Sequence, residues 1–434
     1  MEQIVSLAKR RGFVWPSSEI YGGLSAVWDY GPLGKEMKKN IKALWEQRFI
    51  YERDDIIAIE SAELTRREVL QASGHEEQFV DPMVDCKICK ERFRADEPIP
   101  KANDHIHQLT KPRQFNLMFK THAGPAEDAS SLVYLRPETA QGMFTNFKTI
   151  VDTQRVKVPF GIAQIGKSFR NEITTGDFTF RSREFEIAEI EYFVKPGTDE
   201  QWFKKWVGEW EQFFLDCGLK KQNLKLRAHP KKSLAHYSKA TTDIVYQFPF
   251  GWQELAGVAN RTDYDLKRHE QYSGKDLKYF DEESKQKYLP YVIEPTLGVE
   301  RLLLALLVDG YDEIKSGNSE QGTVNREKEY VLRLNPKIAP VKVAVFPLVN
   351  KDKLPAIAKE IYSELKQHWN VQYDDAGSIG RRYRRVDEIG CPFAVTVDFE
   401  TLKDNTVTIR DRDSMKQERV KIKALNDLLT KRLF

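Results

Sequence analysis

The stretch from Ile162 to Glu191 constrains this chain more than any other feature. It reads as a β-hairpin, two apolar-rich runs joined across a loop from Ile173 to Thr179. Strand side chains alternate with period two. Arg170 and Glu172 share the parity of the first strand, and Arg181, Arg183, Phe185, Ile187 and Glu189 that of the second. Such a face makes a poor core, because buried charge without a partner is costly. It makes a good floor for an ATP-sized ligand, with guanidinium groups for phosphates, Phe185 for adenine, and carboxylates for an ammonium or a metal. The alternative is a solvated strand face laced with cross-strand ion pairs. Any single Arg or Glu here fits that alternative; the whole array, with a second signature behind it, does not.

A chain of 434 residues is expected to form more than one domain. Its net charge of +3 is too small to mark a nucleic-acid binder, so any such role must rest on local patches. No apolar run reaches membrane-spanning length, and the start MEQIVSLAKRRGF has no signal-peptide core, so a cytoplasmic protein with no membrane partner is expected. The four cysteines, Cys86, Cys89, Cys217 and Cys391, fit a reducing compartment. Cys86 and Cys89 form a C-x-x-C, but a structural zinc needs four ligands. Only His105, His107 and His122 offer completion, and the alternate placing of His105 and His107 is less usual for a finger. The expectation is therefore a tight turn inside an insertion, without zinc.

A Tyr-Gly-Pro turn precedes an amphipathic helix ending near Gln47, and a β-branched run at Ile56 to Glu60 follows. Residues 82–131 are irregular and read as an insertion. YLRPETAQGMFTNF gives a strand and then a helix with Glu138 near its start; a helix rich in Trp and Phe opens a second insertion at about 196–240. GWQELAGVANRTDYDL reads as a strand entering a loop, and YVIEPTLGVERLLLALLVDGY as strand, Gly-marked turn and apolar helix. The expected division is a domain over 1–335, a linker at 336–340 bracketed by Pro336 and Pro340, and a compact α/β domain over 341–434.

The second signature is EPTLGVERLLL, Glu294 to Leu304. Gly298 permits close backbone approach, and Arg301 lies in the first turn of a helix, where N–H groups already favour anions. Together with Phe169-Arg170-Asn171-Glu172 and the run from Arg181 to Phe185, these residues resemble the second and third signatures of class II aminoacyl-tRNA synthetases. The segment from Trp28 to Glu60 resembles the first. RFRADE, FNLMF, RPETAQG, REFEIAEIEYFV, LAHYSKATTDI, ELAGVANRTDYDL, EPTLG and RRYRRVDEIGCPFAVTVDF sharpen the likeness to the homodimeric glycyl-tRNA synthetase family over nearly the whole chain.

The resemblance implies an α+β fold, an antiparallel sheet flanked by helices with a C-terminal α/β anticodon-binding domain, and a homodimer. It implies a two-step reaction in which glycine and ATP form glycyl-adenylate and the glycyl group passes to tRNA(Gly). Arg170 is assigned to the α-phosphate and Arg301 to the outer phosphates, these two being the catalytic pair. Asn171, Glu172, Phe180, Arg181, Arg183, Phe185, Leu255 and Gly298 complete the expected ATP site. Glu254 is the candidate for the Mg2+ that accompanies ATP, an ion that binds through few carboxylates plus phosphates. For glycine, Glu138, Glu189 and Glu294 are candidate partners of the ammonium, with Phe185, Glu186 and Gly298 beside them in the expected site. Arg94 is expected to orient the glycine carboxylate or a neighbouring Glu, and Thr296 to wall off larger amino acids.

Four arginines around a tyrosine in GRRYRRVD (Arg381, Arg382, Tyr383, Arg384 and Arg385) read either as a basic loop for RNA phosphates and a stacked, unpaired base or as a solvated charge cluster, and the resemblance assigns them to tRNA. Two rivals stand beside this reading. A non-catalytic paralogue, such as the accessory subunit of a mitochondrial DNA polymerase, would lose the phosphate-binding arginines that are present here. A synthetase for Pro, Thr or Ser shares the architecture, but the HYSKATTDI and ELAGVANRTDYDL segments favour glycine.

Overall fold

The computed structural model of the chain describes residues 1–96, 98–102, 104–173, 176–314 and 329–433. Helix α1 (Glu2–Arg11) stops at Gly12, whose φ of 76° is open to glycine at little cost. Helix α2 (Pro32–Glu46) begins on Pro32, where the missing N–H would have had no partner anyway, and buries Met37, Ile41 and Trp45 at helical spacing. Its Gly34 is indispensable, because an added Cβ would stand 1.9 Å from the Phe13 carbonyl oxygen.

Strand β1 (Ile56–Ala58) leads to the first insertion, a three-stranded sheet of β2 (Val80–Asp85), β3 (Arg92–Arg94) and β4 (Arg113–Asn116) in the order β3–β2–β4. Here the structure corrects the reading of the histidines. His105 and His107 both turn to Cys86 and Cys89, and the four ligand atoms lie within 4.8 Å of one another. The chain there is irregular, so the period-two spacing sends both rings inward and leaves Ile106, 90% exposed, outward. His122 lies apart, bonded to the Ser131 hydroxyl at 2.9 Å.

Helix α3 (Ala140–Gln154) precedes the central hairpin, β5 (Phe160–Phe169) and β6 (Glu184–Val194). The strands are shorter than expected at the turn, so Arg170, Glu172, Arg181 and Arg183 belong to the connection and not to the ladder. Helix α4 (Asp199–Asp216), β7 (Leu224–Ala228), β8 (Ala240–Phe248) and β9 (Gly251–Thr262) follow. Strand β9 passes into helix α5 (Tyr264–Ser273) where a loop was expected, and β10 (Tyr291–Gly298) into helix α6 (Val299–Gly310). The seven-stranded sheet has the order β7–β8–β9–β10–β6–β5–β1, antiparallel except for the β5–β1 pair.

Period two divides β6 cleanly. Ala188, Ile190, Tyr192 and Val194 join the core that packs α2, α4 and α6 against one face. On the other face Phe193, with Phe160, Ile162 and Val292, packs under Phe144 and Phe147 of α3. The carboxylates of the even-spaced series Glu189 and Glu191 therefore fall on the α3 face, beside that aromatic cluster.

The last part of the chain holds β11 (Val343–Pro347), helix α7 (Leu354–Leu365), β12 (Val371–Tyr373), helix α8 (Ile379–Asp387), β13 (Phe393–Val397), β14 (Thr406–Asp411), β15 (Gln417–Lys421) and helix α9 (Leu425–Leu433). Its sheet has the order β12–β11–β13–β14–β15, with β11 parallel to both neighbours. The basic segment expected as a loop is helix α8. The stretch expected as a linker is packed: Ile338 and Ala339 are fully buried in the same core as α2, and Asn40 Nδ2 donates to both carbonyls at 3.2 and 3.0 Å. Helices flanking an antiparallel sheet beside a separate mixed α/β sheet make the chain α+β. Among the described residues no helix is long and apolar enough to cross a membrane.

Candidate active site

The turn of the central hairpin, the end of β9 nearest Glu254 and the β10–α6 junction enclose a cleft of about 170 Å³. Arg170, Glu172, Phe180, Arg181, Phe185, Glu254, Leu255, Thr296, Gly298 and Arg301 all line it. Arg170 is held between two rings, its guanidinium 5.2 Å from Phe79 and 5.5 Å from Phe185, while Nε donates to the Pro137 carbonyl at 3.0 Å. Arg301 rises from the first turn of α6 and lies 4.5 Å over the Phe180 ring. Its Nε donates to the Phe180 carbonyl at 3.2 Å and Nη1 to the Glu254 carbonyl at 3.1 Å. The half-exposed Glu254 carboxylate stands 3.3 Å from the same guanidinium. Two positioned cations and a flat ring on one cleft wall suit a nucleotide triphosphate.

Gly298 is extended, with φ of −84°, a backbone that any residue adopts. A Cβ there would meet the side-chain carbons of Arg301 at 3.6 Å, an ordinary contact.

Farther along the same sheet face the chemistry changes sign. The carboxylate oxygens of Glu189, Glu191 and Glu294 lie within 4.8 Å of one another, and all three residues are buried. Glu189 accepts from the Thr139 hydroxyl, and Glu294 accepts from Arg261 Nη1 at 2.7 Å. Arg261 also grips Asp265 through Nε at 2.7 Å and Nη2 at 2.9 Å, and it lies 3.9 Å over the Tyr237 ring. Glu138 accepts from Gln141 at 3.0 Å and faces His75 Nε2 at 3.2 Å. Neither oxygen of Glu191 has a hydrogen-bond partner among the described residues.

One guanidinium serving several buried carboxyls leaves the pit acid-rich. Burial, reinforced by neighbouring carboxylates, raises Glu189 above its ordinary range and Glu191 and Glu294 well above it. Glu138 moves the other way: burial opposes its charge, but His75, Arg261 and Gln141 outweigh that and hold it well below the usual carboxylate range. A small cation entering this pit would let the raised carboxyls ionise. Thr296 pairs with Glu189 across β10 and β6 and shares a face with Glu294, which puts it where the cleft meets the pit.

Four expected site residues lie elsewhere. Glu186 has the opposite parity to Phe185 and faces α2, paired with Lys38 at 2.7 Å and Lys42 at 2.8 Å. Its backbone N–H donates to Glu300, which Lys38 also holds, so this cluster ties α2 and α6 to β6. Arg183 spans the hairpin turn, donating to the Glu172 and Ser25 carbonyls at 3.1 Å each. Asn171 lines a separate hollow with Phe115, Asn116 and Tyr134. Arg94, on β3, is paired with Asp81 at 3.0 Å and Asp96 at 2.8 Å.

Sequence reasoning missed Glu191, Arg261, Asp265 and Thr139. Glu191 continues the parity of Glu189 by one step and was within reach of the same argument. Arg261 and Asp265 stand four apart, a spacing common on exposed helices, and nothing local marks them as buried.

In the C-terminal part, α8 separates its arginines by helical phase. Arg382 is 2% exposed and donates to the Pro347, Asp375 and Gly377 carbonyls. Arg385 is paired with Asp374, and the Tyr383 hydroxyl bonds Thr396 at 2.7 Å under the Arg410 guanidinium. Arg381 and Arg384 are exposed. The expected set of five RNA-facing side chains is thus reduced by the fold's own needs.

Two domain families match. The tRNA synthetase class II core domain (G, H, P, S and T) matches residues 112–309, and the anticodon binding domain matches residues 342–432. The chain is 51% identical to a glycine–tRNA ligase of Thermobifida fusca, over 100% of this chain and 98% of that protein. It is 52% identical to one of Caldanaerobacter subterraneus, over 100% of this chain and 98% of the relative, and 52% identical to one of Clostridium tetani, over 98% and 96%.

Proposed function

The chain belongs to the glycine–tRNA ligase family, and on that premise we propose how its own residues perform the reaction. The enzyme attaches glycine to tRNA(Gly) at the expense of ATP, through glycyl-adenylate. A glycine carboxylate oxygen attacks the α-phosphorus, the bond to the bridging oxygen breaks, and pyrophosphate leaves. A ribose hydroxyl of the tRNA 3′ end then attacks the glycyl carbonyl and displaces AMP. No protein nucleophile is needed, so the protein's work is to position the reactants and to neutralise charge as it develops.

Phe185 and the Arg301 guanidinium bracket the adenine, Arg170 meets the α-phosphate, and Arg181 with Arg301 meets the outer phosphates. The Glu254 carboxylate would hold the Mg2+ that accompanies ATP, and the ion would supply charge neutralisation for the leaving pyrophosphate. Glycine places its ammonium among Glu138, Glu189 and Glu294, with Glu191 behind them, and Thr296 refuses a Cβ. Arg381 and Arg384 meet tRNA phosphates. The functional unit is a cytoplasmic homodimer, with a catalytic domain over 1–335 and an anticodon-binding domain over 341–434.

The observation that carries this reading is a cationic, ring-walled cleft and, farther along the same sheet face, a buried acid pit with a carboxyl unpartnered among the described residues. Nucleotide and amino acid need these opposite fields side by side. The test is amino-acid-dependent ATP–pyrophosphate exchange with glycine, alanine, serine, proline and threonine. Exchange with glycine alone, lowered by on the order of 10² in Arg170→Ala, is expected. Exchange with another amino acid would overturn the pit assignment, and an undiminished Arg170→Ala would overturn the α-phosphate assignment.

A further inference from the structure

The Cys86, Cys89, His105 and His107 cluster lies outside the substrate cleft and is not used by the reaction above. For a tetrahedral Zn2+ with Zn–S of about 2.3 Å and Zn–N of about 2.0–2.1 Å, sulfur and nitrogen ligands stand about 3.6 Å apart. Cys86 Sγ lies 3.5 Å from His105 Nε2, and Cys89 Sγ lies 3.8 Å from His107 Nδ1. Each ring offers one nitrogen to the cluster and commits the other. His105 Nδ1 meets the Asp104 carboxylate at 2.7 Å, and His107 Nε2 meets the Pro100 carbonyl at 3.0 Å. Acceptors of this kind behind the ring are what orient metal-bound histidines and fix their tautomers.

The cysteine turn has the matching backbone. The Ile88 N–H points at Cys86 Sγ at 3.4 Å, the Lys90 N–H closes on the Cys86 carbonyl at 3.0 Å, and Lys90 takes a left-handed φ of 63°. A backbone N–H aimed at the Cys86 sulfur is the kind of contact that a metal-bound sulfur accepts.

We propose that Cys86, Cys89, His105 and His107 bind one Zn2+ that fastens the chain between β3 and β4 to the β2–β3 turn. All four positions are filled by protein, so the ion is structural and offers no open site for chemistry. The need is physical. Among the described residues the chain between β3 and β4 forms no helix or strand, and the buried apolar side chains on the three strands are only Met83 and Val84. A small sheet with so little core gains its order from a staple. The ion also bears on the substrate cleft at one remove, because Asp81 and Arg94 sit on the strands it secures and Asp81 feels the charges of Glu172 and Arg181.

The test is the zinc content of the full-length protein, purified from zinc-supplemented cells and dialysed without chelator. About one zinc per chain is expected, falling at least tenfold in Cys89→Ser and in His107→Ala, with thermal unfolding as the check that each variant folds. Protein stripped with a chelator and given Co2+ should take on the visible absorption of a tetrahedral thiolate site, lost again when zinc is added. Should either variant fail to fold, the wild-type stoichiometry and the cobalt spectrum decide. Wild-type protein without zinc that also gives no cobalt spectrum overturns the proposal. So does a Cys86–Cys89 disulfide in the isolated protein, or folded variants that retain zinc at the wild-type level.

Discussion

Glu191 is the residue where burial and charge conflict most openly. Its carboxyl is fully buried with both oxygens unpartnered among the described residues, and burial together with Glu294 raises its pKa well above the ordinary value. The folded state therefore binds the proton more tightly than the unfolded chain, whose glutamates titrate near about 4.3. The sign follows: stability is intact below about pH 4.3 and is lost progressively as pH climbs toward the raised folded value. Glu191→Gln removes a charge that the apoprotein cannot accommodate. Its melting temperature should match the wild type near pH 4 and exceed it increasingly toward pH 8, in scanning calorimetry without glycine. A gain independent of pH would mean that packing, not charge, is at stake. Thr296 carries a different prediction, because it stands beside the pit and limits its volume. Thr296→Gly should narrow the preference for glycine over alanine by about tenfold in pyrophosphate exchange, the worth of one methylene-sized space; an unchanged ratio would move the wall elsewhere.

At the scale of the element, α8 shows why a run of arginines is ambiguous. Helical phase sends Arg382 inward to three carbonyls and Arg381 outward to solvent. Arg382→Ala leaves those acceptors unpaired and should cost on the order of 3 kcal/mol, seen as a lower denaturation midpoint of the C-terminal part. Arg381→Ala should change stability by no more than about 0.5 kcal/mol, yet reduce the salt dependence of tRNA binding by about one counterion. The reverse pattern would place the RNA surface on another face. Helix α2 is likewise defined by contact more than by composition: Lys38 and Lys42 reach Glu186 and Glu300, two residues that the strand and helix patterns alone would leave exposed.

Across the whole molecule, the two sheets are joined by a segment that belongs to the first core. Leu332, Leu334, Ile338 and Ala339 are buried with α2 and α6, and Arg412 of the C-terminal part donates to the Leu334 carbonyl at 2.8 Å. A chain ending at Pro340 should fold and keep glycine-dependent pyrophosphate exchange while losing at least tenfold in tRNA charging. One ending before Leu332 forfeits about 1.5–3 kcal/mol for each large apolar side chain removed and should unfold at a lower temperature; equal melting of the two truncations would refute the packed junction. Much of this was legible in the sequence. Parity along β6 put Phe185 and Glu189 on one face, and a glycine before an apolar helix put Arg301 at its first turn, because both follow from the period of a single element. The tertiary structure alone decided which charges are shared between elements. Arg261 meets Glu294, Glu186 turns to Lys38, Arg382 is spent on carbonyls, and His105 with His107 closes on Cys86 and Cys89. Charge compensation and ligand closure act through space between segments distant along the chain, and no local period encodes them.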